Sequence, residues 1–249
     1  MIDICDVTKF YGPKVAVQDL TLHVPAGELF AFLGPNGAGK TTTIKMLCGL
    51  LFPTSGTVAV GGFDLRTQGD HARALISYVP DLPFLYEKLT GREFLRFTAD
   101  LYAMPSTKAD EKIEEVIGLF HLEEFVDDLT ERYSHGMRQR TVFAAALVHE
   151  PKLLIADEPT VGLDPKSIRE LKTLLRKLAS EGMTIFLSTH TLDIAQELAD
   201  RIGILDHGRL LGCGTMTDLR KQANRDGNLE DLFMQITEEA ATEATPAAV

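Results

Sequence analysis

Residues 34–41 read Gly-Pro-Asn-Gly-Ala-Gly-Lys-Thr: a glycine, four residues, then Gly-Lys-Thr. That spacing suits phosphate chemistry. Gly34, Gly37 and Gly39 let the backbone bend close to phosphate oxygens without an obstructing Cβ. Lys40 has the reach for the β- and γ-phosphates, and the Thr41 hydroxyl can sit on Mg²⁺. Pro35, Asn36, Ala38 and the following Thr42 complete the loop. The apolar run Leu29–Leu33 before it reads as a buried strand, and Thr42–Leu47 after it reads as a helix. A strand, a glycine loop and a helix start together aim backbone N–H groups and a positive dipole end at one point. A nucleoside triphosphate, ATP or GTP, fits that point. A glycine-rich turn that binds nothing is the plainer reading, and the flanking strand and helix argue against it.

A second apolar run, Leu153-Leu154-Ile155-Ala156, ends in Asp157-Glu158-Pro159. Carboxylates at the end of a buried strand are costly without a partner. Beside a phosphate loop, Mg²⁺ supplies one. Asp157 is expected to hold the metal through water, and Glu158 to take a proton from an attacking water. Read alone, the pair is also a plausible helix cap before Pro159. A third run, Thr184-Ile185-Phe186-Leu187-Ser188-Thr189, ends on His190, whose imidazole can touch the γ-phosphate and position that water. A lone histidine at a strand end is more often structural; its company favours chemistry.

The elements around these residues alternate. Ile2–Val7 and Leu20–Val24 show strand periodicity, and Thr57–Val60 adds a short strand before Gly61-Gly62. Beyond about residue 82 the pattern turns helical, with Ile113, Val116, Ile117 and Phe120 on one face and Asp110, Glu111, Glu114 and Glu115 on the other. A clear helix starts at Asp164-Pro165, buries Ile168, Leu171, Leu174, Leu175 and Leu178, and ends near Gly182. Apolar strands alternating with amphipathic helices imply an α/β fold with a mostly parallel sheet, whose ligands sit at the carboxyl ends of the strands. Residues 238–249 are acidic and of low complexity and are expected to be disordered.

The whole chain sets the bounds. Its 249 residues suffice for one large domain or two lobes, and its hydrophobic fraction of 45% is ordinary. A net charge of −11 argues against a nucleic-acid surface, which rewards clustered Lys and Arg. No apolar run approaches the roughly 18 residues of a membrane span, and the first residues carry no secretory pattern. Cys5, Cys48 and Cys213 lie far apart and are read as free thiols.

Together these motifs resemble the ATP-binding subunit of ABC transporters over residues 1 to about 235. Gly34–Thr42 is similar to Walker A and Leu153–Glu158 to Walker B with its glutamate. Val161-Gly162-Leu163-Asp164 is similar to the D-loop, and His190 to the switch histidine. The resemblance implies a P-loop core with an N-terminal antiparallel β subdomain and an inserted helical subdomain. The core lobe would span about 1–82 and 151–223 and the helical lobe about 83–150, within one ATP-binding domain of 1–237. Tyr11 stands where the family stacks an aromatic on adenine. Tyr133-Ser134-His135-Gly136-Met137 stands at the family signature, where Ser134 and Gly136 would cap the γ-phosphate held by the other protomer. Ser134 also reads simply as a helix N-cap. Two departures stand out. His135 and Met137 occupy positions usually held by glycine and glutamine. Asp81, in Tyr78-Val79-Pro80-Asp81, replaces a glutamine that touches Mg²⁺, and is expected to keep that coupling role.

The resemblance further implies an ATPase using ATP and Mg²⁺ as a head-to-tail pair, homodimeric or with a second nucleotide-binding subunit. Its partner would be a separate membrane-spanning permease, and the chain itself would sit peripherally at the cytoplasmic face of the cell membrane. The signature variant, Asp81 and the segment Asn228–Phe233 resemble the exporter branch. Two other readings are a soluble switch of the same type acting on ribosomes or DNA, and a small-molecule kinase. The acidic balance and single nucleotide domain weigh against the first, and the Asp157-Glu158 pair against the second.

Overall fold

In the computed structural model, residues 1–224 and 226–243 are described. The chain opens with a long hairpin, β1 (Ile2–Tyr11) and β2 (Lys14–Val24), then enters β3 (Leu29–Leu33), every residue of which is buried. The phosphate loop joins β3 to α1 (Lys40–Leu47). β4 (Ser55–Val60), β5 (Phe63–Asp64), α2 (Gly69–Arg73) and β6 (Ile76–Val79) follow. Then comes the helical stretch α3 (Gly91–Leu101), α4 (Ser106–Leu119) and α5 (His135–Leu147). β7 (Leu153–Asp157), α6 (Pro165–Ser180), β8 (Thr184–Thr189) and α7 (Leu192–Leu198) return to the α/β pattern. The last described elements are β9 (Arg201–Asp206), β10 (Arg209–Gly214), α8 (Met216–Gln222) and α9 (Leu229–Glu243).

Two sheets form. One is antiparallel, in the order β2-β1-β4-β5; the other runs β10-β9-β3-β8-β7-β6, parallel throughout except for the β10–β9 pair. This is the expected α/β architecture with its N-terminal antiparallel portion. β3 and β8 lie at the middle, which explains their unbroken apolar runs: both faces are covered. Phe30 and Phe32 face the antiparallel sheet and α1, and both rings meet Phe186, at 5.6 and 5.3 Å. Ala31 and Leu33 face the opposite side, toward α7, α8 and α9. The helical stretch shares its core with α6 through Ile113, Val116, Phe143, Leu171 and Leu175. The acidic face foreseen on α4 is exposed but not idle, since Asp110 pairs with Arg96, and Glu114 with Arg92.

One expectation is corrected. Residues 238–243 continue α9 rather than being disordered. The segment is rich in Ala and Glu, both strong helix formers, and the helix is already anchored by buried Leu229, Leu232 and Ile236. Residues 244–249 lie outside the described residues.

Candidate functional site

The site stands where the carboxyl ends of three parallel strands meet. β3 delivers the loop, β7 delivers Asp157 and Glu158, and β8 delivers Ser188 and His190. Two glycines of the loop are obligatory for steric reasons. A Cβ on Gly34 would lie 2.2 Å from the Leu205 carbonyl oxygen, and one on Gly39, at φ +113°, would lie 2.6 Å from that of Ala16. The turn between β9 and β10 braces the loop from below, Gly208 N–H donating to the Ala38 carbonyl at 2.8 Å.

Lys40 is 6% exposed. Its Nζ donates to the carbonyls of Gly34 (2.6 Å) and Pro35 (3.3 Å) and stands 3.2 Å from Glu158 Oε1, a charge pairing without hydrogen-bond alignment. Glu158 occupies the left-handed region at φ +48°. Its other oxygen, Oε2, faces His190 Nδ1 at 2.9 Å and the His190 N–H at 3.3 Å. One carboxylate thus bridges the phosphate-loop lysine and the histidine.

Asp157 lies beside it, fully buried. Thr41 Oγ1 donates to its Oδ2 at 3.1 Å, and the Ser188 hydroxyl donates to its Oδ1. Burial pushes the Asp157 carboxyl above the usual carboxylate range. The Ser188 and Thr41 hydroxyls pull it back, and the charges of Asp81 and Glu158 add to the rise. A buried carboxylate held above its ordinary range, with hydroxyl oxygens around it, is a donor set for a hard divalent cation such as Mg²⁺. Thr41, Asp157 and Asp81 are the residues that would hold it. Among the described residues no group of three His, Cys, Asp or Glu stands together as a metal cage. Mg²⁺ of this kind takes one or two carboxylates, and phosphate oxygens complete its shell.

A cleft of about 270 Å³ joins these groups, lined by Lys14, Pro35, Asn36, Gly37, Gly39, Lys40, Thr41, Thr42, Asp81, Asp157 and Glu158. Gly34 and Ala38 lie beneath that surface. Tyr11 is not in the lining: it sits at the hairpin end, opposite Lys14 in the β1–β2 register, exposed and under the Lys9 ammonium at 5.6 Å. Ser134 and Gly136 are also outside it. Ser134 caps α5, accepting from Met137 N–H at 3.3 Å, and Gly136 opens onto free space. Asp164 caps α6 through the N–H groups of Lys166 and Ser167 at 2.9 and 3.1 Å, and these bonds hold its carboxyl below the usual range, the Ser167 hydroxyl contributing most. Asp81 points along the cleft edge and accepts from its neighbour Leu82 N–H at 2.9 Å.

Two residues of the site went unmarked in the sequence. Lys14 enters from the β1–β2 hairpin, and nothing local signals that this turn reaches the loop. Ser188 is the direct register partner of Asp157; a hydroxyl closing an otherwise apolar strand was the available sign.

Residues 17–161 match the family described as ABC transporter. The chain is 38% identical over 244 residues to the linearmycin resistance ATP-binding protein LnrL of Bacillus subtilis (strain 168), covering 98% of this chain and 77% of that protein. It is 42% identical over 219 residues to the daunorubicin/doxorubicin resistance ATP-binding protein DrrA of Streptomyces peucetius, covering 88% and 66%. Against the probable multidrug ABC transporter ATP-binding protein YbhF of Escherichia coli (strain K12), at 38% identity, it spans only 41% of the relative's length. A solved structure of an ATP-binding subunit of an ABC transporter superposes with a TM-score of 0.89 at 34% identity, over 95% of this chain and 99% of that one. A dimeric ATP-binding cassette in a post-hydrolysis state, bound to ADP and Pi, gives 0.79 at 27% identity, over 87% and 99%. The strand-end cleft and these matches lead to one assignment: the chain belongs to the ABC transporter family, as an ATP-binding chain with the family's ATPase fold.

Proposed function

We propose that this chain hydrolyses MgATP to power a separate membrane-spanning permease, as one half of a head-to-tail pair closed over two nucleotides. The observation that carries the reading is the convergence of Lys40, Glu158 and His190 at the mouth of the phosphate loop, next to Asp157 and Thr41. With the triphosphate in place, Lys40 exchanges its bonds to the loop carbonyls for bonds to the β- and γ-phosphates. Glu158 loses its ammonium neighbour and becomes free to accept a proton. A water oxygen attacks the γ-phosphorus, its proton passes to Glu158, and the bond from the γ-phosphorus to the bridging oxygen breaks, leaving ADP and phosphate. His190, held on Glu158 Oε2, orients the attacking water and the γ-phosphate. Mg²⁺, when bound at Asp157, Thr41 and Asp81, neutralises charge on the phosphate oxygens. Catalysis is chiefly positioning and charge stabilisation. Tyr11 stacks on adenine, and Ser134 and Gly136 of the second copy cap the γ-phosphate at a helix N-terminus.

In this reading residues 1–237 form one ATP-binding unit, with the core lobe at 1–82 and 151–223 and the helical lobe at 83–150. Its permease surface is the segment after Asp81. Leu82 and Phe84 are 75% and 67% exposed, and the ring of Tyr86, packed against Phe84, and that of Phe97, packed in turn against Tyr86, continue the apolar surface. Among the described residues no helix is long and apolar enough to cross a membrane; the peripheral place at the cytoplasmic face rests on the ATP-binding transport and resistance proteins among the relatives. The dimeric cassette bound to ADP and Pi supports the paired state. The resistance proteins among the relatives support export over import, with the cargo contacts left to the permease. The direct test is purification of the tagged chain from membranes. A co-purifying multi-span protein that raises ATP turnover supports the reading. Stable capture of RNA or DNA instead would favour the soluble switch, and a phosphorylated acceptor would favour a kinase.

A further inference from the structure

α5 is capped by Ser134, and in its second turn it carries Gln139, a side chain no step above uses. Gln139 is 3% exposed. Its Nε2 donates to the Pro159 carbonyl at 3.1 Å, while its Oε1 has no partner among the described residues. Only a donor satisfies Pro159 O, so the carboxamide has one workable orientation. A buried amide with half its capacity unused is costly, and it is kept where the other half matters. Pro159 directly follows Glu158, which is held at φ +48°. Such a conformation persists only where the surroundings over-determine it. Here the Glu158 N–H donates to Ser188 O at 3.1 Å, its carbonyl accepts from Val161 N–H at 3.1 Å, and the next carbonyl is taken by Gln139. The same helix makes a second contact with this loop. A Cβ on Gly162 would lie 3.0 Å from His135 Nε2, so the imidazole at the helix start packs against the loop that Glu158 begins.

We propose that Gln139 is a positioning residue for Glu158. By holding the Pro159 carbonyl it fixes the left-handed backbone of Glu158, and so the line from its carboxylate to the attacking water. Any displacement of α5, the helix whose start carries Ser134 and Gly136, then moves the base directly. Hydrolysis is thereby tied to the seating of α5 within the same chain, alongside whatever the second copy contributes. This rests on the reading of Glu158 as the base.

The test is a double-mutant comparison on the full chain, with Gln139→Met, Glu158→Gln and both together, read as steady-state and single-turnover ATP hydrolysis. Gln139→Met keeps the side-chain volume and removes both the donor and the unpartnered oxygen, but leaves the buried Pro159 carbonyl unpaired, so the melting temperature should fall slightly at most. The expected result is a kcat lowered about tenfold to a hundredfold, the range for a misplaced catalytic group, with KM for ATP within about twofold. The slow hydrolysis left in Glu158→Gln should fall no further when Gln139→Met is added, because the two act as one unit. If Gln139→Met melts early, Gln139→Asn, polar but one methylene short of Pro159, takes its place in the comparison. Normal turnover in the Gln139 variant beside a silent Glu158→Gln overturns the inference alone. An equal further loss on the Glu158→Gln background also overturns it, showing a merely structural side chain. Normal turnover in Glu158→Gln removes the base assignment and this inference with it.

Discussion

At the scale of single residues, two carboxylates one position apart meet different fates. Glu158 is bracketed by Lys40 and His190, whereas Asp157 is buried with hydroxyls only. In the proposed function the first moves a proton and the second holds a cation. Lys40→Ala is expected to lose ATP binding in equilibrium titration. Asp157 carries a pH consequence. Its folded pKa is raised by burial, so the nucleotide-free fold prefers the protonated acid and loses stability as pH rises through that raised value. At neutral pH the ionised form is a cost. Asp157→Asn should therefore raise the melting temperature of the free protein, while Mg²⁺-dependent nucleotide binding is lost. A lower melting temperature would contradict this balance. Asp157, Glu158 and the loop were legible in the sequence because each ends or follows an apolar run. Ser188 and Gln139 were not, because their roles come from register and from a helix–loop contact between residues far apart in the chain.

Among the elements of the larger sheet, the strands that were easy to read are the central ones. β3, β7 and β8 are apolar on both faces; β6, β9 and β10 are shorter or more polar edge-side strands, and their order in the sheet depends on long-range pairing that no local pattern encodes. α9 hid for another reason: its anchoring residues Leu229, Leu232 and Ile236 precede a run whose composition reads as disordered. Truncating one anchor, Leu232→Ala, should cost about 2–5 kcal/mol in urea unfolding. A second element-scale feature joins the helical stretch to the sheet edge. The Tyr102 and His149 rings stack at 3.4 Å, and both reach the Ile76 carbonyl, each at 3.3 Å. Burial lowers His149 to about 4 from 6.5, with the Ile76 bond opposing. The unfolded chain therefore binds the extra proton first, and stability falls as pH drops from about 6.5 toward 4. His149→Phe keeps a ring there and removes the titration. The acid-side loss between pH 7 and 4 should shrink by about 2 kcal/mol, the half-buried ring being partly screened by solvent.

For the whole molecule, the cleft opens at the strand ends while the residues expected to cap the nucleotide, Ser134 and Gly136, stand outside its lining. In the proposed reading a single copy presents two half-sites, which a head-to-tail pair would complete. In the proposed reading the apolar patch around Leu82 and Phe84 serves the permease rather than the pairing. Leu82→Glu with Phe84→Glu should leave basal ATP turnover of the isolated chain unchanged and abolish its stimulation by the membrane partner; retained stimulation would place the permease elsewhere. The pairing itself is tested most directly by measuring the molar mass of Glu158→Gln in solution, with and without MgATP. Nucleotide should bind saturably and double the mass while turnover falls by about a hundredfold to ten-thousandfold, the usual contribution of a general base. A protein that binds no nucleotide, or binds it and stays single, would contradict the nucleotide sandwich.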